Sequence, residues 1–238
     1  MNIALIGYGK MGKAIEKIAI ERGHSISVKI DVSNSNDLHS EGFLNSDVAI
    51  EFTRPESALD NILHCCKSKI PVVVGTTGWL DSLDKVKSEC ELNDTTVFYA
   101  SNFSIGMNIT FALNEKLAHW MNELKEYEVS IDEIHHIHKL DHPSGTAISL
   151  ADGIINGLDR KSHWENETSN NNNALSIISH REGEVPGTHT VEYKSDIDRL
   201  VIKHEAFNRT GFALGAVKVA EWLPGNTGIL EMKDFLNI

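Results

Sequence analysis

The feature that most constrains this chain is a glycine cluster near its N-terminus. An apolar run, Ile3 to Ile6, leads directly into the cluster Gly7-Tyr8-Gly9-Lys10-Met11-Gly12, and an amphipathic stretch follows. A buried strand, a tight glycine turn and a helix in this order begin a parallel βαβ unit whose backbone can approach a pyrophosphate. Asp31 lies 24 residues after Gly7, behind a second strand-like run, where a carboxylate can bind ribose hydroxyls. We therefore predict dinucleotide binding; the alternative is a glycine turn in another doubly wound domain.

The first hundred residues alternate short β-branched runs with helical stretches. The run Val72 to Val74 is apolar at successive positions, as expected for a strand that is covered on both faces of a parallel sheet. Two polar turns, Gly75-Thr76-Thr77-Gly78 and Ala100-Ser101-Asn102-Phe103, follow predicted strands. They therefore belong to the carboxyl edge of the sheet, where ligands of such folds bind. Each turn is equally compatible with an ordinary βα connection.

The pattern changes after Asn102, which predicts a second domain. A long helical stretch over 105–124 precedes an alternating run over 128–137 and a helix over 146–155. Three strand-like runs then follow without intervening helices, which favours an α+β unit with a mixed or antiparallel sheet. A last helical run, Gly215 to Leu223, is expected to return to the first domain. We predict a dinucleotide-binding domain formed by residues 1–104 and 209–238, and an inserted domain over residues 105–208.

Composition restricts the partners and the compartment. The chain has 22 Lys and Arg against 34 Asp and Glu, a formal net charge of −12, which is unfavourable for binding nucleic acid. Its three cysteines, Cys65, Cys66 and Cys90, form no disulfide or zinc pattern and fit a reducing compartment. The sequence contains neither a signal-peptide pattern nor an apolar stretch of membrane-spanning length. We expect a cytoplasmic protein without a membrane partner.

The densest group of reactive side chains lies over residues 133–147. His135, His136, His138 and His142 fall within eight residues, beside Lys139. Metal binding and solvated surface histidines are the alternatives; we predict no metal, because strand alternation sends neighbouring histidines to opposite faces.

Ser144-Gly145-Thr146, directly after this histidine group, follows a proline and opens a predicted helix. Free backbone N–H groups and two hydroxyls at such a helix start can hold a carboxylate. Acid–base groups beside an anion site suggest a small acidic substrate.

Taken together, the motifs resemble those of the dihydrodipicolinate reductase family, also called 4-hydroxy-tetrahydrodipicolinate reductase. The matching pieces run nearly from end to end of the chain. They are GYGKMG at 7–12, EFTRP at 51–55, GTTG at 75–78, NFSIGMN at 102–108, EIHHIHKLDHPSGTA at 133–147, GTHT at 187–190, Arg209, GAV at 215–217 and Trp222-Leu223.

This resemblance implies a doubly wound, Rossmann-type parallel-sheet domain with an inserted α+β substrate and oligomerisation domain, assembled as a homotetramer. It implies hydride transfer from NADH or NADPH to a small cyclic dicarboxylic imine in lysine and diaminopimelate biosynthesis. His135 matches the proton donor and acceptor, and Lys139 matches a second donor. The implied substrate contacts are His136, Ser144, Gly145 and Thr146. The implied nucleotide contacts are Gly7, Tyr8, Gly9, Lys10, Met11, Gly12, Asp31, Gly75, Thr76, Thr77, Ala100, Ser101, Asn102 and Phe103.

The chain departs from the family pattern at the nucleotide motif. Lys10 stands where the family usually has arginine. Asp31-Val32 replaces a frequent Glu-Arg pair, whose arginine meets the 2′-phosphate of NADPH. A 2′-phosphate beside Asp31 is repelled, and residues 32–37 contain no basic side chain to offset it. We therefore predict NADH as the preferred cofactor. The remaining alternatives are a related amino-acid dehydrogenase, such as an aspartate dehydrogenase, and a non-catalytic NAD sensor.

Overall fold

The computed structural model describes residues 1–208 and 210–238. These residues form two compact units, one from Met1–Ile105 with Thr210–Ile238 and the other from residues 106–208. The domain boundary predicted at Arg209 lies outside the described residues. No helix within the described ranges is both long and apolar enough to cross a membrane.

Strands and short helices make up most of both units. In chain order, the strands are β1 Asn2–Ile6, β2 Ser25–Ile30, β3 Val48–Glu51, β4 Val72–Val74, β5 Thr96–Tyr99, β6 Glu128–His135, β7 His163–Glu165, β8 Ala174–Arg181, β9 Gly187–Lys194, β10 Arg199–Ala206 and β11 Gly228–Leu230. The α-helices are α1 Lys10–Glu21, α2 Glu41–Leu44, α3 Pro55–Lys67, α4 Leu83–Leu92, α5 Ile105–Met121, α6 Gly145–Gly157, α7 Thr210–Trp222 and α8 Met232–Leu236. The described residues also contain two 3₁₀ segments, Val32–His39 and Leu80–Ser82.

The sheet of the first unit is parallel, with strand order β11-β5-β4-β3-β1-β2. Alternate residues of β1 enter different cores: Ile3 and Leu5 pack with α1 and α7, whereas Ala4 and Ile6 pack with α3. Because helices cover both faces of the sheet, the strand sequences are continuous apolar runs. The doubly wound fold predicted from the sequence is confirmed, and the connections reverse direction between β1 and β3.

The sheet of the second unit is mixed, with strand order β10-β9-β6-β8-β7. Strand β6 pairs in parallel with β8 and antiparallel with β9. Side chains from α5 and α6 pack on the face that carries Val129, Ile131 and Val191. The α+β unit with a mixed sheet is therefore confirmed as well.

Some elements differ from the sequence prediction. Strand β6 ends at His135, two residues before the end of the alternating run, because the chain turns after His136. The three-residue strands β7 and β11 were not predicted. Both lie at the edge of a sheet, and their residues are mostly half-buried, so they lack the apolar run by which interior strands are found.

A charge cluster fastens α7 within the first unit. Glu221 accepts two hydrogen bonds from the Arg22 guanidinium, at 2.7 and 2.8 Å, and lies 2.7 Å from the Nε2 atom of His24. The hydrogen bonds from Arg22 contribute most to lowering the pKa of Glu221, which falls to about 2. The carboxylate is therefore charged across the neutral range.

Glu221→Gln is expected to lower the free energy of unfolding at pH 7 by about 1 kcal/mol, the scale of a well-aligned surface ion pair. The folded-state pKa is depressed, so the ion pair stabilises the protein above pH 4.5 and loses its effect as the pH falls toward 2. Thermal melts of both proteins should therefore show a difference that narrows below pH 4.5. Glu21→Gln is the control, since Glu21 is exposed and lies 3.9 Å from Lys17. A difference that stays constant down to pH 3 would contradict the assignment.

Candidate active site

A cavity of about 390 Å³ opens at the carboxyl ends of β1, β2 and β3. It lies at the point where the strand order reverses, which is the usual ligand crevice of open α/β sheets. The residues predicted from the sequence that line it are Gly7, Tyr8, Gly9 and Asp31.

The glycines of the cluster serve different purposes. A Cβ atom on Gly7 would lie 2.0 Å from the carbonyl oxygen of Phe52, and one on Gly12 would lie 2.2 Å from the carbonyl oxygen of Gly7. A Cβ atom on Gly9 would meet nothing within 4 Å. Gly9 is also the N-cap of α1 and offers no capping side chain, so the first amides of this helix are left for an anion. These residues fit the pyrophosphate of a dinucleotide.

The acidic residue predicted to bind ribose, Asp31, lies directly before the 3₁₀ segment as its N-cap. Asp31 accepts a hydrogen bond of 2.8 Å from the backbone N–H of Val32 through its own Oδ1 atom. The same cavity wall contains Arg54, which follows β3 and was not assigned a role from the sequence. The cavity wall thus carries one carboxylate and one guanidinium.

The remaining predicted nucleotide contacts lie at the same sheet edge, outside the lining of this cavity. Thr76 follows β4 and accepts a hydrogen bond of 2.7 Å from the backbone N–H of Thr53. Phe103 is buried against Phe52 and Phe98, with ring centroids 5.6 and 6.0 Å away. The others in this group are Gly75, Thr77, Ala100, Ser101 and Asn102, while Lys10, Met11 and Gly12 belong to the first turn of α1.

In the second unit, the carboxyl end of β6 is polar on its buried face. Its inward side chains are Val129, Ile131, Glu133 and His135, so two ionisable residues continue a row that begins as hydrophobic core. Glu133 has no solvent exposure and His135 is 7% exposed. Atom Oε2 of Glu133 lies 3.3 Å from Nδ1 of His135.

Three donors surround the other carboxylate oxygen of Glu133. Oε1 accepts hydrogen bonds from the Ser144 backbone N–H at 3.0 Å, the Ser179 hydroxyl at 2.7 Å and the Arg181 guanidinium at 3.3 Å. Burial by itself raises the pKa of Glu133, but hydrogen bonds from His135, Ser144 and Ser179 outweigh it and hold the pKa well below its usual range. The buried carboxylate is therefore ionised.

A second histidine shares this carboxylate. His189 on β9 is 5% exposed, its Nε2 atom lies 3.7 Å from Oε2 of Glu133, and its ring packs edge-on against that of His135 at 5.0 Å. Burial, reinforced by the neighbouring His135, lowers the pKa of His189 to about 4. His189 is thus neutral at physiological pH.

Glu133, His135 and His189 are also the three potential metal ligands that come together within the described residues, with donor atoms inside 4.8 Å of one another. The guanidinium of Arg181 binds the carboxylate of Glu133, and it would repel a metal cation placed between these three residues. The absence of a metal stays a prediction.

Lys139 lies in the turn after β6. Its Nζ atom is 2.8 Å from Oδ1 of Asp141, and the hydrogen bond from Lys139 contributes most to lowering the pKa of Asp141. Arg181 donates to the carbonyl oxygens of Lys139 and Asp141, which fixes this turn against β8.

The predicted carboxylate site forms the start of α6. Ser144 is the N-cap: its hydroxyl oxygen accepts from the backbone N–H of Ala147 at 3.2 Å, and Oγ lies 3.3 Å from Nε2 of His189. Gly145 and Thr146 begin the helix, and their N–H groups precede its first intrahelical hydrogen bond. Gly145 is exposed, and both Thr146 and His136 are half-buried. The roles of these residues toward substrate stay predictions.

Sequence reasoning assigned no role to Glu133, His189, Asp141 or Arg181. Glu133 had a usable signal, since it stands two residues before His135 and continues the inward positions of an alternating strand. His189 and Arg181 come from β9 and β8, and only the pairing of those strands with β6 brings them to the site.

The chain matches known proteins over its full length. It matches the family described as dihydrodipicolinate reductase, N-terminus, over residues 1–103 and dihydrodipicolinate reductase, C-terminus, over residues 106–236. A 4-hydroxy-tetrahydrodipicolinate reductase of Christiangramia forsetii is 49% identical, with 100% of this chain and 98% of that protein covered. One of Neisseria meningitidis is 33% identical, with 94% and 84% covered.

Among solved structures, a dipicolinate-bound dihydrodipicolinate reductase from Paenisporosarcina sp. TG-14 has a TM-score of 0.79 and 22% identity, covering 99% of both chains. The fold and these relatives define a reductase of the pyridine-nucleotide class. The chain belongs to the dihydrodipicolinate reductase family. The resemblance drawn from the motifs is confirmed, and it is favoured over an amino-acid dehydrogenase or a non-catalytic sensor.

Gly9→Ala is expected to fold normally and to lose dinucleotide binding, because the new methyl group meets no protein atom and occupies the space above the helix start. Gly12→Ala is the contrasting variant: its methyl group would lie 2.2 Å from a carbonyl oxygen, so it should lower the melting temperature. NADH fluorescence titration and thermal melts separate the two effects. Normal NADH affinity in a folded Gly9→Ala variant would place the pyrophosphate elsewhere.

Proposed function

We propose that this protein reduces 4-hydroxy-tetrahydrodipicolinate to tetrahydrodipicolinate with a reduced pyridine nucleotide, in lysine and diaminopimelate biosynthesis. The observation that carries the proposal is the buried His135 beside the ionised Glu133, next to Lys139 and the open N-terminus of α6. This arrangement offers proton donors and a carboxylate site in one unit, which suits an acidic substrate that must gain a proton.

The nucleotide belongs to the first unit in this proposal, and the substrate to the second. Residues 1–104 and 209–238 would form the dinucleotide-binding domain, and residues 105–208 the substrate-binding and oligomerisation domain. When bound, a reduced nicotinamide supplies the hydride. The cavity at Gly7, Gly9 and Asp31 supports this assignment, since its open glycine and uncapped helix suit an anionic pyrophosphate.

His135 is proposed as the general acid. Reduction of the ring leaves electron density at a carbon next to the former double bond, and an imidazolium can quench it with a proton near neutral pH. The ammonium of Lys139 is proposed to stabilise the developing negative charge and to act as a second donor. The Nζ atom of Lys139 lies 2.8 Å from Oδ1 of Asp141, and this ion pair orients the lysine before substrate arrives.

The ring carboxylates are proposed to bind the N–H groups of Gly145 and Thr146, the Thr146 hydroxyl and His136. Ser144 fixes the start of α6 through its cap, which supports this helix end as an anion site. Neutral substrates of the same shape should bind poorly here, because they leave these donors without a charged acceptor.

We also propose a cytoplasmic homotetramer that assembles through the sheet of the second unit. The face of this sheet opposite α5 and α6 carries half-buried Ile134 and Ile178 and, on β10, Val201, which is 45% exposed. Apolar side chains on an open sheet face are typical of a subunit interface. Light scattering of the purified protein measures the molecular mass of the assembly and so tests the proposed tetramer.

His135→Gln tests the proposed reaction. Turnover should fall by roughly two to four powers of ten, the scale of a lost general acid, while NADH affinity stays near that of the wild type. The assay supplies substrate from aspartate semialdehyde and pyruvate through the preceding synthase and follows the loss of NADH absorbance. A wild-type protein without activity in this assay would refute the function, and a His135→Gln variant with full turnover would refute the residue assignment.

We propose NADH as the preferred cofactor over NADPH. Asp31 places a carboxylate on the cavity wall where a 2′-phosphate would meet like charge, and Val32 stands beside it without a basic group. Arg54 on the same wall offers a partial counter-charge, so the preference is expected to be moderate. The measurement is the ratio of kcat/KM for the two cofactors at fixed substrate.

Two variants sharpen this measurement. Val32→Arg should shift the ratio toward NADPH by providing a guanidinium next to the 2′ position, and Arg54→Gln should shift it further toward NADH. A preference of about tenfold or more for NADPH in the wild type would contradict the role of Asp31. A ratio that neither variant changes would show that the 2′ position lies elsewhere.

A further inference from the structure

The two oxygens of the Glu133 carboxylate have different surroundings. Oε1 is anchored by the Ser144 N–H, the Ser179 hydroxyl and the Arg181 guanidinium. Oε2 instead faces Nδ1 of His135 at 3.3 Å and Nε2 of His189 at 3.7 Å. One oxygen therefore fixes the carboxylate, and the other is directed at the imidazole proposed as the general acid.

We propose that Glu133 is a positioning residue for the reaction, an inference that rests on the proposed function. The carboxylate holds the proton of His135 on Nδ1, so that Nε2 is the nitrogen that delivers a proton to substrate. It also stabilises the imidazolium that precedes the transfer. Glu133 itself does not touch the reacting atoms.

No other positively charged group competes with His135 for Oε2 of Glu133 among the described residues. His189 is neutral because burial lowers its pKa to about 4, so it does not compete as a cation for Oε2. Burial also lowers the pKa of His204, the residue opposite His189 on β10. Lys139 is paired with Asp141. Arg181 binds Oε1 and thereby leaves Oε2 to the histidines.

The surroundings of the imidazole agree with this orientation. A Cβ atom on Gly187 would lie 3.1 Å from Nε2 of His135 and 3.3 Å from its Cδ2 atom, so glycine leaves space beside the Nε2 edge of the ring. The opposite edge of the ring carries Nδ1, which faces Glu133. Nδ1 thus faces the carboxylate, and Nε2 is the nitrogen left for transfer.

The anchor also connects the acid to the proposed carboxylate site. Ser144 donates its N–H to Glu133 and caps α6 with its hydroxyl. Glu133 therefore contacts both His135 and Ser144, the residue that caps α6. The N–H groups that follow Ser144 are the ones proposed to bind substrate. A purely structural role would make Glu133 important for stability and substrate affinity alone, and the pH dependence of turnover distinguishes the two roles.

Glu133→Gln tests the inference. Glutamine keeps the size but lacks the charge, and its amide can donate to Nδ1 and so favour the wrong tautomer. Loss of the carboxylate behind a catalytic imidazole lowers kcat by up to about 10⁴-fold, and we expect a loss of about 10² to 10³ here. The KM for NADH should stay within about twofold, and the alkaline limb of kcat should move to lower pH because the imidazolium loses its counter-charge.

Two further variants complete the experiment. Glu133→Asp keeps the charge at a greater distance, so it should lose less turnover and retain more of the wild-type pH profile; it also covers the case in which Glu133→Gln fails to fold. Glu182→Gln removes an exposed charge next to Arg181 and should leave both quantities unchanged.

The outcomes separate this inference from the proposed function. Folded Glu133 variants with the turnover and pH profile of the wild type would overturn the inference, provided that His135→Gln is impaired. So would a loss confined to the melting temperature and the KM. A wild-type protein that does not reduce the substrate would instead refute the proposed function.

Discussion

The pairing of the buried, ionised Glu133 carboxylate is the interaction on which the arrangement of the proposed substrate site depends. A carboxylate without solvent is stable only when its oxygens are paired, since an unpaired buried charge costs several kcal/mol. Its partners come from the end of β8, the start of α6 and the end of β6 itself. Satisfying this one charge therefore brings together the strand ends and the helix N-terminus that form the proposed substrate site.

Glu51 in the first unit shows how environment decides the state of the same residue. It too is fully buried, at the end of β3, where it accepts hydrogen bonds from Thr53 and Asn61. Here burial dominates and raises the pKa of Glu51, whereas the donors around Glu133 outweigh burial. No cation pairs with Glu51 among the described residues, so nothing reverses the effect of burial on its pKa.

The sequence predicted the parts of the fold that rest on local patterns. Continuous apolar runs and glycine turns located the strands of the parallel sheet, and alternation located β6 with its buried row. The short edge strands β7 and β11 lack such patterns and were missed. In the candidate site, Gly7, Gly9 and His135 belong to contiguous motifs, and Asp31 follows the second predicted strand. These four residues could be named from the sequence, but their partners could not.

What the sequence by itself determined is the class of fold, the nucleotide motif and the acid–base segment. The two motifs are short contiguous segments, and the fold class follows from the order of local patterns along the chain. Only the tertiary structure decided that Arg54 shares a wall with Asp31, and that His189, Arg181 and Ser179 meet Glu133. These contacts depend on which strands are neighbours and on their register, which local patterns do not specify. Which charged groups surround His135 is therefore decided by the folded chain.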